Sequence, residues 1–111
     1  MPQIKALVHG LYGDIPLLLM HGRRSGRFRG TVLLYHGLGA SKDSNRAELA
    51  SLADKGFLAV GVDAVAHGER RATDFDHQAR QGFSTMLRWI NESAREVPLV
   101  LDALTELVGP G

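Results

Sequence analysis

Two short apolar runs constrain this chain more than anything else in it: Thr31-Val-Leu-Leu-Tyr35 and Phe57-Leu-Ala-Val-Gly-Val62. Neither alternates apolar with polar residues, so each reads as a strand covered on both faces. Residues 44–55 between them read as a helix. Ser41, Asp43 and Ser44 can each cap its start, Ala47, Leu49, Ala50, Leu52 and Ala53 mark one face, and Lys55-Gly56 supplies the stop. Strand, helix and strand with short connections make a βαβ unit over residues 31–63. Its strands should run parallel through a right-handed crossover. The fold class is α/β.

The remainder arranges itself around that unit within one domain. Residues 1–30 hold two further strands, 3–9 and 14–20, joined by the turn Gly10-Leu-Tyr-Gly-Asp14. Pro16 suits the first residues or the edge of a strand. The turn His21–Gly30 carries four arginines. No aromatic platform or helix accompanies them, so it reads as a solvated hairpin tip and not as an anion grip. Residues 64–75 form an irregular loop containing His67-Gly68. From about Asp76 a long helix is predicted over 76–108, with apolar residues at Phe83, Met86, Leu87, Ile90, Ala94, Val97, Leu101, Leu104 and Leu107. Pro98 should kink or divide it near Glu96. Gly109-Pro110-Gly111 should break it.

Charge and composition remove several function classes. The net charge is +1, so no global field steers the chain toward nucleic acid or a membrane surface. There is no cysteine, which excludes disulfides and thiolate metal sites. No apolar run approaches the roughly 18 residues of a membrane helix. Met1-Pro-Gln-Ile-Lys-Ala-Leu7 lacks the apolar stretch of a signal peptide, so a cytoplasmic location is the expectation.

The first apolar strand runs into His36-Gly37-Leu38-Gly39-Ala40-Ser41-Lys42, a glycine-rich loop that opens a helix. Such a turn presents backbone N–H groups to negative charge. One reading is a dinucleotide-binding βαβ unit, with Asp63 at the end of the next strand. Lys42 stands at the third glycine position, however, and a nucleotide turn has no need of His36. The other reading is an oxyanion hole. A His-Gly pair after a strand lets the chain turn sharply and aim the next N–H, that of Leu38, at a carbonyl oxygen gaining charge.

With Asp63-Ala-Val-Ala-His67-Gly68-Glu-Arg70 behind it, the chain resembles the N-terminal part of a serine-type α/β-hydrolase. The nearest likeness is to bacterial esterases of the dienelactone hydrolase and prolyl-oligopeptidase-like group. That resemblance implies a carboxylic ester hydrolase acting on short acyl esters through an acyl-serine, with no cofactor and no metal. Leu38 would donate an oxyanion N–H, and Gly37 and Gly39 would permit the turn. His36 would brace the loop without serving as the base, and Asp63, His67 and Gly68 would shape the neighbouring loop.

The chain departs from the family at the nucleophile. No serine lies in Gly-x-Ser-x-Gly; Gly82-Phe-Ser84-Thr-Met86 lacks the second glycine and sits in a helical pattern. The expectation is roughly the first half of the fold, truncated before the nucleophile strand and inactive alone. Strand 57–62 should lie between strands 14–20 and 31–35, leaving the far edge of 31–35 open. Self-association, or a complementary C-terminal half, is expected there. The alternative functions are a non-catalytic interaction module and the dinucleotide-binding unit.

Overall fold

The computed structural model describes residues 3–22, 27–71 and 74–108. The middle of the arginine-rich turn and the closing Gly109-Pro110-Gly111 lie outside the described residues. Four strands form one mixed sheet: β1 (Gln3–Gly10), β2 (Gly13–Met20), β3 (Thr31–Tyr35) and β4 (Leu58–Val62). The helices are α1 (Arg46–Asp54), α2 (Phe75–Ala79) and α3 (Phe83–Val108). Single 3-10 turns at Lys42–Asn45 and Gly68–Arg70 precede α1 and follow β4.

The strand order is β1-β2-β4-β3. β1 and β2 form an antiparallel hairpin, β2 pairs antiparallel with β4, and β3 pairs parallel with β4 with Leu33 opposite Val60. The parallel pair and its crossover through α1 are what two continuous apolar runs flanking a helix demand. Every residue of β4 is buried. β3 lies at the end of the sheet, paired on one side only among the described residues.

Side-chain alternation along the strands divides the core in two. Leu18, Met20 and Ala59 face α1, where they meet Leu49 and Ala53, with Leu34 against them. Leu17, Leu19, Leu58, Val60 and Val62 face the other way, onto Val100 and Leu104 of α3, with Leu33 and Tyr35 alongside.

The C-terminal helical region differs from the sequence expectation in two respects. Helix does not run unbroken from residue 76: α2 ends at Ala79 and the chain turns at Gly82, which has a φ of +97° that suits glycine. Nor does Pro98 divide the helix near Glu96: α3 continues for 26 residues with Pro98 inside it and exposed. The apolar stripe of α3 is also not the face it buries. Thr85, Trp89, Ser93, Glu96, Val100 and Leu104 are buried, whereas Phe83, Leu87, Ile90 and Leu101 are exposed.

A buried ion pair fastens α3 to the sheet. The Arg70 guanidinium grips the Glu96 carboxylate through two bonds of 2.8 and 3.1 Å. Arg70 also donates to the Tyr12 and Asp63 carbonyls, and the Tyr12 N–H donates to Glu96. One pair thereby joins the β1-β2 turn, the loop after β4 and α3. No helix among the described residues is long and apolar enough to cross a membrane.

Candidate functional site

The carboxyl ends of the parallel strands β3 and β4 feed two adjacent loops, residues 36–42 and 63–70. Open α/β sheets bind ligands at such ends. His36 ties the two loops together. Its Nε2 accepts the Ala64 N–H at 3.1 Å, so the ring proton belongs on Nδ1, which donates to the Gly37 carbonyl at 2.9 Å. Both ring nitrogens are thus engaged.

Leu38 and Gly39 form the tip of a tight turn closed by the Ala40 N–H donating to the Gly37 carbonyl at 3.1 Å. Gly39 has a φ of +80°, the left-handed region that the turn requires. The Leu38 N–H has no hydrogen-bond partner among the described residues, and its side chain is exposed.

Asp63 organises both loops from below. Its side chain is wholly buried. One carboxylate oxygen accepts the Lys42 N–H at 2.9 Å; the other accepts the Lys42 ammonium at 3.0 Å and the Glu69 N–H at 3.0 Å. The Lys42 ammonium, itself only 2% exposed, also reaches Glu69 at 2.6 Å and Asp43 at 3.4 Å. Burial alone would lower the Lys42 pKa, but the hydrogen bonds to Glu69 and Asp63 and the charges of Asp63 and Asp43 outweigh it and hold the pKa above its usual value. Gly68 makes this closeness possible: at φ +57° it lies against Asp63, and a Cβ there would collide with the carboxylate.

His67 is 4% exposed. It donates from Nδ1 to the Val65 carbonyl at 2.9 Å, which leaves Nε2 as an acceptor, buried and without a partner among the described residues. Its ring packs edge-on to Phe75 and Trp89, with centroids 5.1 and 5.5 Å away, and tilts against His36 at 5.0 Å. Desolvation lowers its pKa; the bond to Val65 opposes this, and the charges of His36 and Arg71 add to the lowering. The residue before it, Ala66, has a φ of +68°, a strained conformation for a side chain with a Cβ. The Val65 N–H is held by the Ser93 hydroxyl at 3.0 Å.

An apolar cleft of about 460 Å³ opens beside these loops. Tyr35, Gly37 and Leu38 line one side, Met86, Ile90 and Ala94 of α3 another, and His36, His67 and Trp89 also contribute to its walls. The Tyr35 hydroxyl is buried without a partner among the described residues. Burial raises its pKa, the Glu96 charge adds to this, and Arg70 opposes it.

All the residues singled out in the sequence therefore gather at one end of the sheet. The sequence reading missed Phe75 and Trp89, the aromatic pair stacked at 5.4 Å against His67, and Lys42 as a buried cation. Trp89 falls off the apolar stripe of α3, and Lys42 registers only as a departure from a glycine pattern. Neither Ser41 nor Ser84 can be read as a nucleophile. Ser41 starts the 3-10 turn before α1, and Ser84 is exposed in the first turn of α3; neither bonds to a histidine among the described residues.

Among solved structures, an epoxide hydrolase from an endophytic Streptomyces superimposes with a TM-score of 0.51 and 26% identity over 81% of this chain. The solved structure of TT1662 from Thermus thermophilus matches with a TM-score of 0.45 and 24% identity over 86% of the chain. This chain spans 27% of the length of the first and 42% of the second. No family model and no curated protein matches the chain. Its fold is α/β-hydrolase-like and corresponds to part of such an enzyme.

Proposed function

We propose that this chain supplies the oxyanion side of a serine-type α/β-hydrolase acting on short acyl esters. The observation that carries the reading is the unpaired Leu38 N–H in a turn beside an apolar cleft. A donor fixed in place before the reaction stabilises an oxyanion without reorganising, which is where such donors gain their effect. Here the fixing is done by His36, through the Ala64 N–H, and by Lys42 and Asp63 at the other end of the loop. His36 is a brace in this reading, since both nitrogens are committed. His67 is neutral and shapes the wall of the cleft. The nucleophile, acid and general base come from polypeptide beyond these 111 residues, so the chain alone hydrolyses esters negligibly.

The dinucleotide reading has weaker support. Asp63, the carboxylate that would meet a ribose, is buried and already bound to Lys42 and Glu69. The interaction-module reading is favoured by a specific observation, the exposed apolar face of α3.

Two measurements test the proposal. The coding sequence downstream of residue 111 should encode a strand followed by Gly-x-Ser-x-Gly; an unrelated domain there counts against it. Saturable, serine-reagent-sensitive turnover of p-nitrophenyl acetate by the 111-residue chain would contradict the division of the site.

A further inference from the structure

Three buried side-chain atoms have no hydrogen-bond partner among the described residues: the Tyr35 hydroxyl, Asn45 Nδ2 and His67 Nε2. Two of these three, on Tyr35 and His67, belong to residues that line the apolar cleft beside Leu38. Buried polar groups are paired with few exceptions, so two orphans at one cavity call for an explanation. Among the described residues no Asp, Glu, Lys or Arg lines the cleft to supply a partner.

The two atoms differ in what they offer. The His67 ring is fixed by its surroundings. Its Nδ1 donates to the Val65 carbonyl at 2.9 Å, and the Val65 N–H is in turn held by the Ser93 hydroxyl at 3.0 Å. Phe75 and Trp89 pack against the ring at centroid distances of 5.1 and 5.5 Å. The turn that carries it is closed by the His67 N–H donating to the Ala64 carbonyl at 3.0 Å, and it includes the strained Ala66. Strain of this kind persists only where the surroundings enforce it, and it gathers at ligand sites. A ring so held presents Nε2 as an acceptor. The Tyr35 hydroxyl, at the carboxyl end of β3, keeps its proton because burial and the Glu96 charge oppose ionisation. It can therefore give a hydrogen bond as well as receive one.

We propose that the cleft selects acyl groups carrying a hydroxyl, which donates to His67 Nε2 while the Tyr35 hydroxyl bonds an oxygen of the same group. This rests on the reading of the cleft as the acyl site of an ester hydrolase. An ammonium would also donate to His67, but it would meet no counter-charge among the lining residues. A plain alkyl chain would fill the apolar walls and leave both atoms unpaired. A site with buried polar groups rejects the analogue that lacks the matching group more strongly than an apolar pocket rejects an extra methylene. In the empty cleft both atoms are covered by neighbouring side chains. Met86 is part of the lining, and its unbranched side chain can turn aside for a ligand.

The test titrates the whole chain with butylphosphonate and with hydroxybutylphosphonates bearing the hydroxyl on the second, third or fourth carbon, followed by nitrogen-15 NMR. The best hydroxylated ligand should bind at least about fivefold more tightly than butylphosphonate. Its saturation should move the His67 Nε2 resonance upfield, as accepting a hydrogen bond does. Tyr35→Phe removes only the hydroxyl and should cut the preference by roughly twofold or more. His67→Phe should abolish it. Methyl butyrate and its hydroxylated counterparts carry no anion and should show the same preference. The Leu38 amide reports the oxyanion reading separately: a hydroxyl preference with Leu38 unmoved would refute that reading and leave the hydroxyl site standing. Equal affinity for plain and hydroxylated ligands, no saturable binding at millimolar concentration, an unmoved His67 Nε2, or an unchanged preference in His67→Phe would each overturn the inference.

Discussion

Replacing Lys42 by Met isolates the buried charge cluster beneath the two loops. The substitution keeps the aliphatic stem and the backbone N–H that bonds to Asp63, and it removes only the ammonium. That ammonium is within 3.0 Å of Asp63 and 2.6 Å of Glu69. Glu69 is largely exposed and can turn to water, so its lost partner costs little. Asp63 has no such escape; it retains two backbone donors and loses its counter-charge. Breaking a buried pair on one side costs about 3–5 kcal/mol, and the retained N–H bonds place Lys42→Met near the lower end, about 3 kcal/mol. The single tryptophan, Trp89, is 3% exposed and reports unfolding in urea. Asp63→Asn in the same background should show a coupling of about 1–3 kcal/mol with Lys42→Met. A pH series supplies an independent check. The folded pKa of Lys42 is raised, so its contribution is fully present below the ordinary lysine value of about 10.4 and is lost as pH rises through the folded pKa. The wild type should therefore lose stability above about pH 10.4 by an amount that Lys42→Met does not. A cost below about 1 kcal/mol, the level of a surface pair, would refute the reasoning.

Gly68→Ala should destabilise by about 2 kcal/mol or more in the same urea assay, because the new Cβ collides with the Asp63 carboxylate while holding a positive φ. Glu96→Ala strands the buried Arg70 guanidinium and the Tyr12 N–H, and should cost about 3–5 kcal/mol by thermal or urea unfolding. Ala66→Gly should stabilise by up to about 1 kcal/mol, since glycine accepts the φ of +68° without strain. His67 has a lowered folded pKa, so its contribution is present above the ordinary histidine value of about 6.5 and is lost as pH falls through the folded pKa. His67→Phe should flatten that acid-side loss in a pH series of urea midpoints.

The parallel core was readable because β3 and β4 are short, continuously apolar and separated by an amphipathic stretch of helical length. Those signals are local, and so is the His-Gly turn. The site's supports are not. Lys42 finds its counter-charge 21 residues away, and Glu96 binds Arg70 26 residues away, so neither is more than a charged residue in the sequence. Ser93 and Glu96 are buried on α3 because loop residues supply their partners, whereas the more apolar stripe faces outward. Periodicity identified α3 as a helix but could not say which face the sheet would take. The end of α2 was signalled by Gln81-Gly82, a cue outweighed by the apolar periodicity that begins at Phe83.

The oxyanion assignment can be tested most directly by following the backbone amide of Leu38 by nitrogen-15 NMR during a titration with butylphosphonate. That anion is tetrahedral and carries an apolar tail suited to the cleft. The account predicts saturable shifts centred on Leu38, with Gly37 and Gly39 following and α1 unaffected. No movement of Leu38 at millimolar ligand, or shifts centred on the arginine-rich turn, would contradict it.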